Sequence, residues 1–138
     1  MRQHEAVFVD TGAWIALALT RDPCHDRARE LWEKLLGHGA RLSTSLPIVL
    51  ETFTFLDRNA SRDVALAWKD SLPSVRGLKV LPCSLDDLRR SWDYFSRSDL
   101  HKLSAVDATS FAIMKRAKIG CAFAFDHHFA AVGFRVAG

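Results

Sequence analysis

Four carboxylates stand where acids are costly unless they have work to do. Asp10 ends the apolar run Ala6-Val7-Phe8-Val9, and Asp126 ends the run Cys121-Ala122-Phe123-Ala124-Phe125. Glu51 is the only charged residue between Arg41 and Asp57, within a helical stretch that is apolar nearly all round. Asp107 shares one helical stripe with Leu103, Phe111 and Met114, which directs it inward. Each has an ordinary structural reading as well. Asp10 and Asp126 suit helix N-caps, Asp107 completes a Ser-x-x-Asp capping box with Ser104, and Glu51 can pair with an arginine or lie on a narrow polar strip. As a set they are harder to dismiss. Like charges gathered in one crevice raise one another's pKa unless a cation sits among them. Oxygen donors without a Cys or His cluster favour a hard ion, Mg²⁺ or Mn²⁺, and such an ion suits phosphoryl chemistry.

The elements that must carry these acids alternate. A first strand over Ala6–Asp10 leads into a short helix through Trp14 to Leu19. A second helix follows Asp22-Pro23 and stops at Gly37 and Gly39. A strand over Arg41–Thr44 precedes a helix over Leu46–Leu56, started by Ser45 with Pro47 in its first turn. A helix over Ser61–Leu72, a strand over Leu78–Leu81 and a helix capped by Ser84 with Leu85, Leu88, Trp92 and Phe95 come next. A helix capped by Ser104 runs to about Ala117, and Cys121–Phe125 forms the last strand. Short, continuously apolar strands alternating with helices predict an α/β domain, a three-layer α/β/α sandwich around a mostly parallel sheet. In such folds ligands gather beyond the carboxyl ends of the strands, where Asp10 and Asp126 stand.

The 138 residues match one domain, expected to span 1–138, with 49% hydrophobic and 25% charged residues. That composition excludes a disordered chain. Three widely spaced cysteines argue against a disulfide scaffold or zinc ribbon and for a reducing compartment. The longest apolar run, Gly12–Leu19, is too short for a bilayer, so a cytoplasmic location without membrane contact is expected. Trp14, Trp32, Trp68 and Trp92 sit at helical core spacings and read as core or dimer interface.

The motifs in order resemble the PIN-domain ribonucleases, most of all the VapC-type toxins of toxin–antitoxin pairs, over almost the whole chain. They are Phe8-Val9-Asp10-Thr11-Gly12-Ala13-Trp14, Asp22-Pro23-Cys24-His25, Val49-Leu50-Glu51-Thr52, Leu103-Ser104-Ala105-Val106-Asp107-Ala108 and Phe125-Asp126-His127-His128-Phe129. The resemblance implies that Asp10, Glu51, Asp107 and Asp126 hold Mg²⁺ or Mn²⁺. It also implies RNA cleavage by metal-activated water, leaving a 5′-phosphate and a 3′-hydroxyl. A cognate antitoxin whose C-terminal segment blocks the active-site groove, and a toxin homodimer, are implied too. Some relatives carry a further acid just after the last Asp, where this chain has His127 and His128, so Asp126 is the least certain ligand.

Thr11 and Ser104 are candidates to hold a ligand carboxylate or a metal-bound water, or simply to cap helices. His128 can touch a phosphate or serve structure, and Arg97, His101 and Lys102 form a candidate RNA-contacting loop. His25 reads as a helix-surface residue. The alternative is a non-catalytic PIN-like module that binds RNA or protein, whose usual sign is loss of the acids. A receiver or haloacid-dehalogenase-type phosphotransfer domain needs acid pairs that Val9-Asp10-Thr11-Gly12 lacks. The chain's formal charge is +3, but without the four acids it carries 19 basic against 12 acidic residues, or +7. An acidic pit in a basic body suits a phosphate backbone.

Overall fold

Five strands and seven helices alternate through residues 2–137, which the computed structural model describes. The strands are β1 (Ala6–Val9), β2 (Arg41–Ser45), β3 (Lys79–Leu81), β4 (Cys121–Phe123) and β5 (Arg135–Val136). The helices are α1 (Thr11–Ala18), α2 (His25–Gly37), α3 (Leu46–Asn59), α4 (Arg62–Ser71), α5 (Leu85–Trp92), α6 (Ala105–Ala117) and α7 (His128–Ala131). The sheet order is β3-β2-β1-β4-β5, and every pairing is parallel. From β1 the chain moves outward through β2 and β3, then returns to place β4 on the other side of β1. Right-handed crossovers therefore put α1–α4 over one face and α5–α7 over the other. The switch in direction lies between β1 and β4, where open α/β sheets offer a crevice at their carboxyl edge.

Two aromatic clusters fill the layers. Trp14 packs against Trp32 and Trp68 with ring centres 5.7 and 5.9 Å apart. Phe111 meets Tyr94, Phe129 and Phe134 at 5.1, 5.0 and 6.0 Å. Trp14 and Trp68 are thus core, as their spacing predicts, and Trp32 is half-buried against them. Trp92 is different: it is 52% exposed and pairs only with exposed Phe95 among the aromatic rings. Of the two readings for Trp92, core or dimer interface, the core one fails: the apolar stripe of α5 faces outward, with Leu85 exposed as well. What α5 buries is Asp87, Ser91 and, just beyond it, Tyr94.

Asp87 explains the inversion. Its carboxylate closes a capping box with Ser84 and accepts from Arg116 Nε at 2.9 Å, which ties α5 to α6. Burial alone would raise its pKa, but Arg116 and Ser84 outweigh it and hold the group below the usual carboxylate range. Arg116→Ala leaves that buried charge uncompensated and is expected to cost about 2–3 kcal/mol in urea unfolding, below the fully buried case because Arg116 is partly exposed.

Several elements differ from the periodicity, most of them by one residue at an end. α3 extends to Asn59, three residues beyond the expected stop. β5 is a two-residue strand with no legible pattern. β4 ends at Phe123, not Phe125, because its pairing with β1 ends at Val9, where β1 gives way to α1. Asp126 therefore lies on the loop beyond β4, next to α7. All three cysteines are free, and among the described residues no helix is long and apolar enough to cross a membrane.

Candidate active site

Asp10 follows β1 directly and is held there by several bonds. Its N–H donates to the Phe123 carbonyl of β4 at 3.0 Å, and its own carbonyl accepts from Ala13 and Trp14 as α1 begins. Thr44 of β2 donates its hydroxyl to the Val9 carbonyl at 2.9 Å and accepts from Trp14 Nε1 at 3.2 Å. Strand, neighbouring strand and helix thus lock the residue in place. Asp10 makes no side-chain cap bond, so the capping explanation for it fails. It is only 4% exposed, and its Oδ1 is buried without a hydrogen-bond partner.

Glu51 reaches the same place from α3. β2 runs into α3 without a loop, with Ser45 capping the helix by accepting from Ile48 N. One and a half turns on, Glu51 accepts a hydrogen bond from Thr11 Oγ1 at 2.5 Å. Of the two roles open to Thr11, the structure supports the carboxylate contact. Leu46, Leu50, Phe55 and Val106 line a groove of about 620 Å³ beside Glu51, so much of the apolar face of α3 is exposed.

Asp107 comes from the opposite layer. α3 and α6 touch, which lets acids carried on the two faces of the sheet meet at its edge. The Ser104 hydroxyl accepts from the Asp107 N–H at 3.0 Å, so Ser104 is a helix cap. The return bond from the Asp107 carboxylate to its cap, which Asp87 makes in α5, is not among the bonds of α6. That carboxylate faces the other acids while still in hydrogen-bond contact with the Ser104 side chain.

Asp126 accepts from the backbone N–H of His128 at 2.8 Å, and His128 Nδ1 lies 2.7 Å from the same oxygen, Oδ1. His128 is buried, and its Nε2 contacts the His101 carbonyl at 2.7 Å. Both ring nitrogens therefore face protein. Asp126, His127 and His128 together offer a carboxylate oxygen and ring nitrogens within 4.8 Å of one another.

The electrostatics follow from this gathering. Burial pushes the Asp10 carboxyl up to about 8, and the charges of Asp107, Glu51 and Asp126 add to the rise against a backbone bond from Thr11. Burial likewise pushes Asp107 up to about 7, together with the charge of Asp126, a hydrogen bond to it, and the charge of Glu51. Asp126 moves the other way. Burial opposes the shift, but the His128 N–H, the His128 ring and the bond from Asp107 outweigh it and lower the pKa. For His128, burial works against the charged ring, yet Asp126 and the His101 carbonyl outweigh it and raise the pKa.

Of the three loop residues, Lys102 is exposed with a left-handed backbone (φ 56°), and His101 lends its carbonyl to His128. Arg97 holds Asp99 with two bonds of 3.0 and 2.6 Å and reaches the Ala131 carbonyl at 3.3 Å, so its charge is already paired. One positioning residue emerges only from the fold, and one reading is corrected by it. Thr44 positions Asp10 indirectly, as described above. His25 is half-buried with Nδ1 at 2.7 Å from the Ala16 carbonyl at the end of α1, and not a free surface residue.

The PIN domain family matches residues 7–135 of this chain. Over 129 residues the chain is 35% identical to the 23S rRNA-specific endonuclease VapC20 of Mycobacterium tuberculosis, covering 93% of this chain and 95% of that protein. The crystal structure of the same VapC20, a sarcin–ricin-loop-cleaving toxin, superposes with a TM-score of 0.82 at 34% identity, over 93% of this chain and 95% of that one. FitAcB from Neisseria gonorrhoeae shares the fold at 15% identity and a TM-score of 0.68, covering 96% of each chain. DNA-bound VapBC from Salmonella typhimurium does so at 14% and 0.63, covering 99% of this chain and 97% of that one. With its parallel sheet, its acid-lined edge and a match to nearly its whole length, this chain belongs to the PIN-domain family.

Proposed function

We propose that the protein is a divalent-metal-dependent endoribonuclease, the toxin of a toxin–antitoxin pair, with Asp10, Glu51, Asp107 and Asp126 as its metal-holding acids. The observation that carries this is the buried, partnerless Oδ1 of Asp10 among three other carboxylates. A buried anion without a partner costs several kcal/mol, and a cation at this point removes the cost. The donor set is mainly oxygen, which fits Mg²⁺ or Mn²⁺. When bound, such an ion stabilises charge developing on a scissile phosphate and lowers the pKa of water.

The protein's own groups do the positioning. Thr11 fixes Glu51, the capped start of α6 aims Asp107, and His128 anchors Asp126 through its backbone and ring. His128 thus acts through Asp126 and not on a phosphate. Lys102, on the exposed loop beside this edge, is the cation offered to the RNA backbone, with the His101 side chain next to it. Arg97 shapes the loop through Asp99 and Ala131. The apolar groove beside Glu51 suits the C-terminal segment of an antitoxin, which would then cover the acids. The exposed Leu85, Trp92 and Phe95 suit a second copy of the chain. The non-catalytic alternative has no support here, since no acid is missing.

VapC20 acts on 23S rRNA, so ribosomal RNA is the substrate to test first. Purified protein incubated with total RNA and with ribosomes is expected to cut in Mg²⁺ or Mn²⁺ and to stop in chelator. Binding should weaken as salt rises, as phosphate contacts require. Cleavage that ignores chelator would refute the metal mechanism.

A further inference from the structure

The amino edge of the sheet, at the far end of the strands from the acids, leaves part of one face uncovered. Strand register places Ala6 beside Arg41, Ser43 beside Lys79, and Ser45 beside Leu81. Side chains alternate along a strand, so Ala6, Arg41, Ser43, Lys79 and Leu81 share one face. α6 stops short of covering them. It ends at Ala117, and Lys118 takes a left-handed conformation (φ 58°) that turns the chain toward β4. The five residues line a cavity of about 650 Å³, walled by Ala117 and Ile119. At its rim Gly39 has φ 67°, and a Cβ there would lie 2.7 Å from His4 Nδ1, so glycine is what lets the His4 ring lean across. Two observations point to a ligand. Arg41, Arg76 and Lys79 all line the cavity, whereas among the described residues no Asp or Glu does. Glu5, the acid next to Ala6 in sequence, is already paired with Arg135. Three cations around one concavity attract an anion. In addition, Ser43 is only 5% exposed, and its hydroxyl has no hydrogen-bond partner. Folded proteins rarely leave a buried hydroxyl in that state.

We propose that this cavity binds a nucleotide, with Arg41, Arg76 and Lys79 on the phosphate and the base laid over the apolar lining beside Ser43. The chemistry selects this class. A single carboxylate leaves two of the three cations unmatched, whereas a phosphate monoester brings nearly two negative charges at neutral pH. Arg41 Nε donates to the His4 carbonyl at 2.9 Å, which fixes the guanidinium at the rim and turns its remaining donors to the phosphate. Leu36, Leu81 and Ile119 require an apolar-faced body, and the Ser43 hydroxyl requires one polar edge on it. A nucleobase has both. The volume lies within the range that small-molecule sites occupy. Ala6 precedes Asp10 by four residues, about 13 Å along β1, so the ligand does not touch the acids. The site therefore stands whether or not the acids hold a metal.

The test titrates the ¹⁵N-labelled full chain in chelator, near neutral pH, while the backbone amide signals are followed. The probes are adenosine monophosphate, inorganic phosphate, adenosine and a short single-stranded RNA. Adenosine monophosphate is expected to move the signals of Ser43, Lys79 and Ile119. It should bind at least about 10-fold more tightly than phosphate or adenosine, since each of these makes only part of the contacts. Arg76→Ala combined with Lys79→Ala should weaken it by about 10-fold or more; both side chains are exposed, so the double variant keeps its fold. Ser43→Ala should weaken it a few-fold without lowering the urea midpoint, because it removes a hydroxyl that has no partner in the protein. The RNA identifies the source of the nucleotide. Binding at least about 10-fold tighter than adenosine monophosphate, with the same signals moving, assigns the cavity to a nucleotide within a chain, and weaker or similar binding assigns it to a free one. Phosphate binding as tightly as adenosine monophosphate overturns the base contact, and adenosine doing so overturns the phosphate contact. Signals that stay still with all four probes, or move only around Asp10 and Asp107, overturn the site.

Discussion

Asp107→Asn is expected to lower RNA cleavage by more than about 100-fold while the protein stays folded. Outer partners of metal ligands are commonly worth 10–100-fold, and a carboxylate that holds the ion directly exceeds them. Asp10→Asn should do the same. The two differ from ordinary core lesions because burial and neighbouring acids push both carboxyls up. Asp10 makes no side-chain cap bond, and a hydrogen bond with Ser104 only partly offsets the upward shift of Asp107. Asp10→Asn removes the cost of ionising this buried carboxyl, so in chelator near pH 8 it should unfold at a urea concentration no lower than wild type. Cleavage rates on ribosomal RNA, with unfolding curves on the same samples, check both halves. Substantial cleavage by either variant would remove that acid from the mechanism.

The metal-free protein should lose stability as the pH rises from about 4 to about 8. Asp10 titrates near its ordinary 3.8 in the unfolded chain and at about 8 in the folded one, so between these values the folded state holds an extra proton. Stability is then fully present below the unfolded value and declines until the folded value is passed. The slope approaches about 1.4 kcal/mol per pH unit from Asp10 alone. Asp107, raised to about 7, adds to the decline over the lower part of the window, and the lowered Asp126 offsets some of it at the acid end. Mn²⁺ replaces the missing positive charge. At pH 8 a saturating concentration should raise the urea midpoint, and the downward slope between pH 5 and 8 should flatten. Stability that ignores both pH and the ion would show that the four acids do not share one field.

Much of this site is legible in the order of residues. Asp10 stands at a strand end because Val7-Phe8-Val9 is continuously apolar, and only a strand covered on both faces tolerates that. Glu51 stands out because nothing else near it is charged. The strands and helices alternate so regularly that the parallel sheet follows from local pattern. Other features depend on partners remote in sequence. β4 stops at Phe123 because β1 turns into α1, which nothing in Cys121–Phe125 itself announces. The outward stripe of α5 reverses the periodicity rule because Asp87 is paired by Arg116, 29 residues away. His128 anchors Asp126 only because the loop through His101 folds over it.

Two stretches, Ser84-Leu85-Asp86-Asp87 and Ser104-Ala105-Val106-Asp107, state the division most directly. Both read as Ser-x-x-Asp at a helix start, and the residues alone determined that each would begin a helix, because a serine hydroxyl satisfies a free backbone N–H wherever the helix lies. They also determined the class of fold and the four acids to examine. Only the tertiary structure decided what each aspartate does. In α5 the carboxylate returns to its cap and meets Arg116, so it is a structural anion. In α6 it faces Asp10, Glu51 and Asp126 across the sheet edge and is driven toward protonation or a cation. Capping is settled within one turn of chain, whereas the sign and number of neighbouring charges depend on which distant elements the sheet brings together.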